Sequence, residues 1–430
     1  MVSLITILLA SMAGYGSSIP PDLAAQYFRE AQVVSERDGG SLWGAELYGP
    51  MLLVDPETRR VAANQTDALG QLKPESGVWA GRLPEEQNIA NTAVKWAGVK
   101  WTMLMWPLPE QKQARLKLVM HELFHRIQEQ LRLPMAEASN RHLATKEGRI
   151  WLQLEWRALE TALREPGDGR RKAMEDALVF RACRRGLSPG AAAEEMRLEL
   201  NEGLAEYTGV RLSAKSRSES AAAAGCELRQ GSQRPSFERS FAYVSGPAYG
   251  LLLDDSELKW REQLKDGADL GELLVQAYHL KLPGASKEEA RRRAEAYDGA
   301  DLMALETRRE EARQARLAQY HSELIEQPVA LLPLSSRVSY SFNPNNVMAL
   351  DETSTVFPTM RVVDDWGILE VSGGALLVRG GGRAVRVQVP VPADPSVRPL
   401  KGRGWTLTLN DGWALAPGAR SGGLTVKKTK

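Results

Sequence analysis

His121-Glu122-Leu123-Phe124-His125 places two imidazoles and a carboxylate within five residues. On a helix, residues i and i+4 share a face, so both rings can reach one metal ion. Zinc suits such a pair, because imidazole nitrogens are among its ordinary ligands. Glu122, beside the first ring, can then act as base toward a water that the ion polarises. A catalytic zinc site takes three protein ligands and keeps one position open. Of the five His, the other three are His142, His279 and His321, and none has a neighbourhood resembling a ligand site. His279 and His321 fall on predicted helices as structural or exposed residues. A carboxylate is the better third ligand. Glu202 and Glu206 lie four residues apart on a predicted helix and share a face. One can bind the metal while the other accepts a hydrogen bond from a ligand His, and Glu202 is favoured for the metal. Taken alone, Glu194, Glu195, Glu199, Glu202 and Glu206 read as a solvated acidic face. The His pair upstream favours the metal role.

The elements that must position these residues follow from periodicity and turn chemistry. Residues 21–38 read as a helix between Pro21 and Gly39-Gly40. Met51 to Val54 and Arg60 to Ala63 read as strands around the turn Asp55-Pro56-Glu57-Thr58, with Gly77-Val78-Trp79 and Lys100 to Trp106 as further extended runs. A helix from Pro109 to Pro134 follows. Leu116, Val119, Met120, Leu123, Phe124, Ile127 and Leu131 form its apolar stripe, and the two His sit near its middle. Helices are predicted over 143–165 and 171–186, from Ser188 to about Ala214, and over 268–281, 286–298 and 300–327. Residues 215–235, rich in Ser, Ala, Arg and Gly, read as a flexible loop. After Pro328 short alternating runs predict a small β-domain, a sandwich. There, Asn410-Asp411-Gly412 reads as a hairpin turn between Trp405–Leu409 and Trp413–Leu415, and Trp366, Trp405 and Trp413 as core.

Bulk composition narrows the partners. The 430 residues carry 55 basic and 54 acidic side chains, a balance that gives no sign of a nucleic-acid partner. Val2 to Ala10 is short and apolar, and small residues at Ser11 and Ala13 suit signal cleavage; Gly16-Ser17-Ser18 is a second option. Export to the periplasm or the extracellular space is therefore expected, with residues 1–18 as signal. No later segment has the roughly 18 continuous apolar residues of a membrane span. Cys183 and Cys226 can form at most one bridge, or stand as two buried thiols.

Residues 100–250 resemble the gluzincin metallopeptidases, the clan of thermolysin and aminopeptidase N. The aminopeptidase N family pairs its His-Glu-x-x-His helix with Asn-Glu-Gly-Phe-Ala on a second helix, whose Glu is the third zinc ligand. Asn201-Glu202-Gly203-Leu204-Ala205 matches at four of five places. Thermolysin-like members carry a carboxylate four residues later that supports a zinc-bound His; Glu206 occupies that place. The family's Tyr-x-x-Gly, which stabilises the oxyanion, is matched by Tyr243-Val244-Ser245-Gly246, with Tyr249 in reserve. Two features depart from the family. His125 and Glu202 stand 77 positions apart, and the Gly-x-Met-Glu-Asn motif that binds a free amino group is absent. Aminopeptidase specificity therefore does not carry over.

The resemblance implies an α+β, thermolysin-like domain over residues 19–327, followed by the β-domain over 328–430. It implies one zinc ion held by His121, His125 and Glu202, with Glu206 behind His121. Glu122 is the expected base and acid, Tyr243 the oxyanion donor, and a peptide or protein the substrate. It further implies that Lys100 to Trp106 is the sheet edge that pairs with substrate backbone. Two readings stand beside this one: an inactive binding protein of the same type, and a zinc hydrolase of a non-peptide amide or ester.

Overall fold

The computed structural model describes residues 19–429 apart from 85, 86, 88, 134, 136, 137, 265, 266, 283, 285, 343–346, 352 and 382. The expected export signal and the expected helix stop at Pro134 lie outside the described residues. Contacts divide the chain into two units, the first ending at Ala300 and the second spanning Asp301–Lys430. The elements are segregated along the chain: an N-terminal sheet, a helical middle and C-terminal sheets. No helix among the described residues is long and apolar enough to cross a membrane.

In the first unit, α1 (Pro21–Asp38) starts on a proline and ends where Gly39 turns left-handed at φ 57°. Six strands follow: β1 (Met51–Val54), β2 (Arg60–Ala63), β3 (Lys73–Glu75), β4 (Val78–Arg82), β5 (Thr92–Trp96) and β6 (Val99–Met105). Their order is β3-β4-β2-β1-β6-β5. β1 and β6 run parallel, and the other neighbours run antiparallel. β1 and the run Trp101–Leu104 are buried throughout, as strands covered on both faces must be. β6 is therefore not the free edge expected of Lys100 to Trp106. A two-residue turn at Ala97-Gly98, both at positive φ, folds β5 onto it, so β5 is the edge. Ala97 at 46° carries none of the Asn or Asp signal that would have marked this hairpin.

The helical middle comprises α2 (Lys112–Ile127), α3 (Lys146–Arg164), α4 (Gly167–Arg185), α5 (Ala191–Leu198), α6 (Leu204–Ser213), α7 (Arg217–Gly231), α8 (Ser240–Asp254), α9 (Leu270–Tyr278) and α10 (Lys287–Ala294). The single helix expected from Ser188 is interrupted by a π turn over Glu199–Gly203, between α5 and α6. Residues 215–235 are not a loop but mostly α7. The Ser216 side chain caps that helix by accepting from the Glu219 N–H, and four consecutive alanines supply strong helix formers. Cys183 and Cys226 are free thiols.

Buried charges tie α3, α4, α5 and α9 together. Arg184 forks onto Glu195 at 2.7 and 2.8 Å and also meets Glu155. Arg185 bridges Glu195 at 2.7 Å and Asp269 at 2.5 Å. His142 lies 2.7 Å from Glu195, and the Tyr249 hydroxyl donates to Glu155 at 2.7 Å.

α11 (Gly299–His321), all but its first two residues in the second unit, leads to a seven-stranded and a five-stranded sheet that share one core. Trp366 and Trp405 lie in that core and Trp413 packs against it. Asn410-Asp411-Gly412 does not close a hairpin. Trp405–Leu409 belongs to the five-stranded sheet and Trp413–Pro417 to the seven-stranded one. Both runs turn apolar residues to the same core from opposite sides, which a hairpin and a sheet-to-sheet crossover serve equally well.

Candidate metal centre

The apolar stripe of α2 is buried, and His121, Glu122 and His125 are buried with it. α2 packs on β5 and β6 on one side and on α6 on the other. Gly209 makes the α2–α6 crossing close: a Cβ there would lie 2.5 Å from the Lys117 carbonyl oxygen. That approach sets Glu206, one turn before Gly209, against His121, one turn after Lys117. A second close crossing brings α8 to the π turn. A Cβ on Gly246 would lie 2.4 Å from the Gly203 Cα, and this sets Tyr243 against Glu202.

The donor atoms of His121, His125 and Glu202 lie within 4.8 Å of one another. The two Nε2 atoms are 3.1 Å apart, and Glu202 Oε2 stands 3.4 Å from His121 Nε2 and 3.5 Å from His125 Nε2. The outward-facing ring nitrogens are committed elsewhere. His121 Nδ1 lies 2.8 Å from Glu206 Oε2 and His125 Nδ1 lies 2.9 Å from Gln128 Oε1. Each ring thus has one nitrogen oriented by the protein and the other turned to its partners, the arrangement that metal-binding imidazoles need. Tyr243 stacks on the His121 ring at 5.5 Å, with the planes 7° apart, and its hydroxyl donates to Glu202 Oε2 at 2.6 Å. Glu122 Oε2 is buried and has no hydrogen-bond partner among the described residues. Two imidazoles, a carboxylate and an unpartnered base beside them are a donor set that fits zinc.

Charge is concentrated here. Burial resists a proton on His121, but the hydrogen bonds to Glu202 and Glu206 outweigh it and push the ring up to about 10. Burial would raise Glu206, yet His121 and Lys117 bring it down to about 2. Glu202 is held far below the carboxylate range by His121, His125 and Tyr243, again against burial. Burial, joined by the charge on Glu202, lifts the Tyr243 hydroxyl well above its usual value. Glu122 goes the other way from its carboxylate neighbours. Burial raises its carboxyl despite the pull of both His rings.

The structure thus brings together His121, Glu122, His125, Glu202, Glu206 and Tyr243. Tyr249 lies elsewhere, bonded to Glu155. His142 pairs with Glu195, and His279 and His321 are exposed. The acidic face is not solvated: Glu195, Glu199, Glu202 and Glu206 are all buried. Three contributors were missed. Gln128 donates to Asn201 Oδ1 at 3.1 Å, which links His125 to the π turn. Lys117 bridges Glu206 at 2.8 Å and Glu227 at 3.1 Å. Arg239, one turn before Tyr243, donates to Glu202 Oε1 at 2.7 Å. The spacing of Lys117 and Gln128 from the His pair, four before His121 and three after His125, was the available signal. A cleft apart from this cluster is lined by Arg217 and Arg261, which pair with Asp255 and Asp254.

Comparison with protein-family models, with curated proteins and with solved structures finds no match to this chain.

Proposed function

We propose that this chain is a zinc-dependent peptidase, a distant gluzincin with a thermolysin-like arrangement of sheet and helices. The observation that supports it most is the convergence of His121, His125 and Glu202 beside the unpartnered Glu122 Oε2. The three ligands would hold one zinc ion. Bound there, zinc would polarise a substrate carbonyl and bring the pKa of a water toward about 7.

The protein's own residues do the rest. Glu206 and Gln128 fix the two rings through Nδ1, leaving both Nε2 atoms for the ion. The raised Glu122 carboxyl takes a proton from water and returns it to the leaving amine. The raised Tyr243 hydroxyl keeps its proton and, on turning from Glu202 Oε2, would donate it in a hydrogen bond to the developing oxyanion. β5, the free edge beside α2, receives an extended peptide through main-chain hydrogen bonds. Action outside the cytoplasm follows from the reading of residues 1–18 as an export signal.

The test is elemental analysis followed by cleavage of a broad peptide library, with and without a chelator. One zinc per chain and chelator-sensitive cleavage are expected, with cleavage lost in Glu122→Gln while zinc stays. No zinc under metal-replete conditions overturns the site. Zinc without cleavage overturns the peptidase and favours the binding protein or the non-peptide hydrolase.

A further inference from the structure

The π turn over Glu199–Gly203 faces two ways. Its first residue, Glu199, is buried in the charge network of α4. Its third and fourth, Asn201 and Glu202, belong to the metal cluster. Arg181 grips Glu199 with both ends of its guanidinium, at 2.7 and 2.5 Å. Arg181 is itself braced: Asp269 lies at 3.3 Å, Glu155 at 3.4 Å, and the Tyr249 ring lies 4.9 Å below it. Those braces come from α9, α3 and α8, so the fork is fixed in direction.

A regular helix turns by about 100° per residue, so Glu199 and Glu202 would lie only about 60° apart around its axis. Glu195 and Glu199 must face the arginines while Glu202 and Glu206 face α2. The extra residue in the π turn, closed by the Leu204 N–H to the Glu199 carbonyl, opens the angle between these two pairs. Such turns are rare and recur at functional sites; among the described residues the other one is Ser322–Glu326, in the second unit. α6 is pinned at the other end by Gly209 against Lys117.

We infer that the Arg181–Glu199 fork is the positioning device for the third ligand: it imposes the π turn that aims Glu202 at His121 and His125. This rests on the zinc reading above. A buried ion pair is a poor source of net stability, since desolvation offsets most of the attraction, but it fixes geometry well. A role in direction also explains why Arg is used, because a lysine could not fork onto both carboxylate oxygens.

The experiment compares wild type with Arg181→Lys, Glu199→Gln and Glu195→Gln by zinc affinity in chelator competition, by the visible spectrum of the cobalt-loaded protein and by thermal melting. Glu195→Gln removes an equally buried carboxylate from the same network but outside the π turn. Arg181→Lys and Glu199→Gln are expected to bind zinc about 10–100-fold more weakly, the range for lost ligand support. Their cobalt spectra should shift toward that of Glu202→Gln. Glu195→Gln should melt earlier with zinc affinity within about twofold of wild type and an unchanged cobalt spectrum. If the first two variants fold and keep wild-type affinity and spectrum, the positioning role is overturned and the zinc site stands. If affinity falls equally in all three, the network is merely structural. If wild type binds neither metal, the zinc reading falls and takes this inference with it.

Discussion

Replacing Gly246 by Ala adds one methyl group at the place where α8 meets the π turn. Its Cβ would lie 2.4 Å from both the Cα and the carbonyl oxygen of Gly203. Carbon atoms pack best at about 3.5–4 Å, so the two backbones must separate by about 1 Å. Both of these neighbours are backbone atoms, and neither is the end of a flexible side chain that could step aside. Overpacking of this kind costs about 1–3 kcal/mol. Ala normally regains up to about 1 kcal/mol over Gly inside a helix. Here that gain is cancelled, because Pro247 follows and crowds any Cβ on a helical residue before it. A net loss of about 2 kcal/mol is expected, which lowers the melting temperature by about 3–4 °C in a unit of this size. Gly225→Ala is the control. It lies inside α7, where a new Cβ meets nothing closer than 3.5 Å. It should stabilise by about 0.5–1 kcal/mol. Both are read by thermal melting followed by circular dichroism. If Gly246→Ala melts at or above wild type while Gly225→Ala rises, the backbone contact does not exist and Tyr243 is not held on Glu202 by it.

Glu206→Gln should weaken zinc binding by about 10–100-fold in chelator competition, since it removes the charge that orients His121. Glu202→Ala should strip the metal altogether; zinc retained at one per chain on elemental analysis would show the third ligand to be another residue. Ser216→Ala removes the cap of α7 and should cost about 1 kcal/mol, read as a lower denaturant midpoint with unchanged slope. Burial would raise Asp269, but Arg181 and Arg185 hold it well below its ordinary value. A lowered carboxylate contributes stability that is full above its unfolded pKa, about 3.9, and is lost as pH falls through the folded value. Melting of the wild type should therefore decline below about pH 4, and Asp269→Asn should be less stable at neutral pH with a flatter acid limb; an equally steep limb would assign the acid sensitivity elsewhere.

The sequence was most legible where one pattern served both local structure and packing. The α2 stripe and the two His on it belong to one helix, so spacing alone placed them. Glu206 behind His121 and Tyr243 beside Glu202 were legible through the gluzincin motifs, not through periodicity. Contacts that depend on tertiary register were not legible. Nothing local distinguishes a π turn from the α-helix expected through Glu199–Gly203, because the extra residue is imposed by what packs on either side. α7 was hidden by its Ser and Gly content, although Ser216 and Glu219 form a capping pair. β5 was hidden by its ordinary Ala97-Gly98 turn, and so the strand at the sheet edge was misassigned. Lys117 on α2, Gln128 just past its end and Arg239 just before α8 are single polar residues, and only the neighbours that α6, α7 and the π turn supply give them a task.

The long interval between His125 and Glu202 bears on how freely this chain can be cut and joined. α3 and α4, joined at Glu165-Pro166, fill that interval, and in most folds such a hairpin would be a detachable module. Closing a shorter loop in its place would recover little, about 0.6 kcal/mol for each halving of length. Removing it would strand Glu195, Glu199 and Asp269 without their arginines, at about 3–5 kcal/mol for each broken buried pair. The hairpin is thus not an ornament added to a smaller core. Any shorter ancestor or minimised design would first have to exchange those three carboxylates for apolar residues, and only then could the two helices be excised.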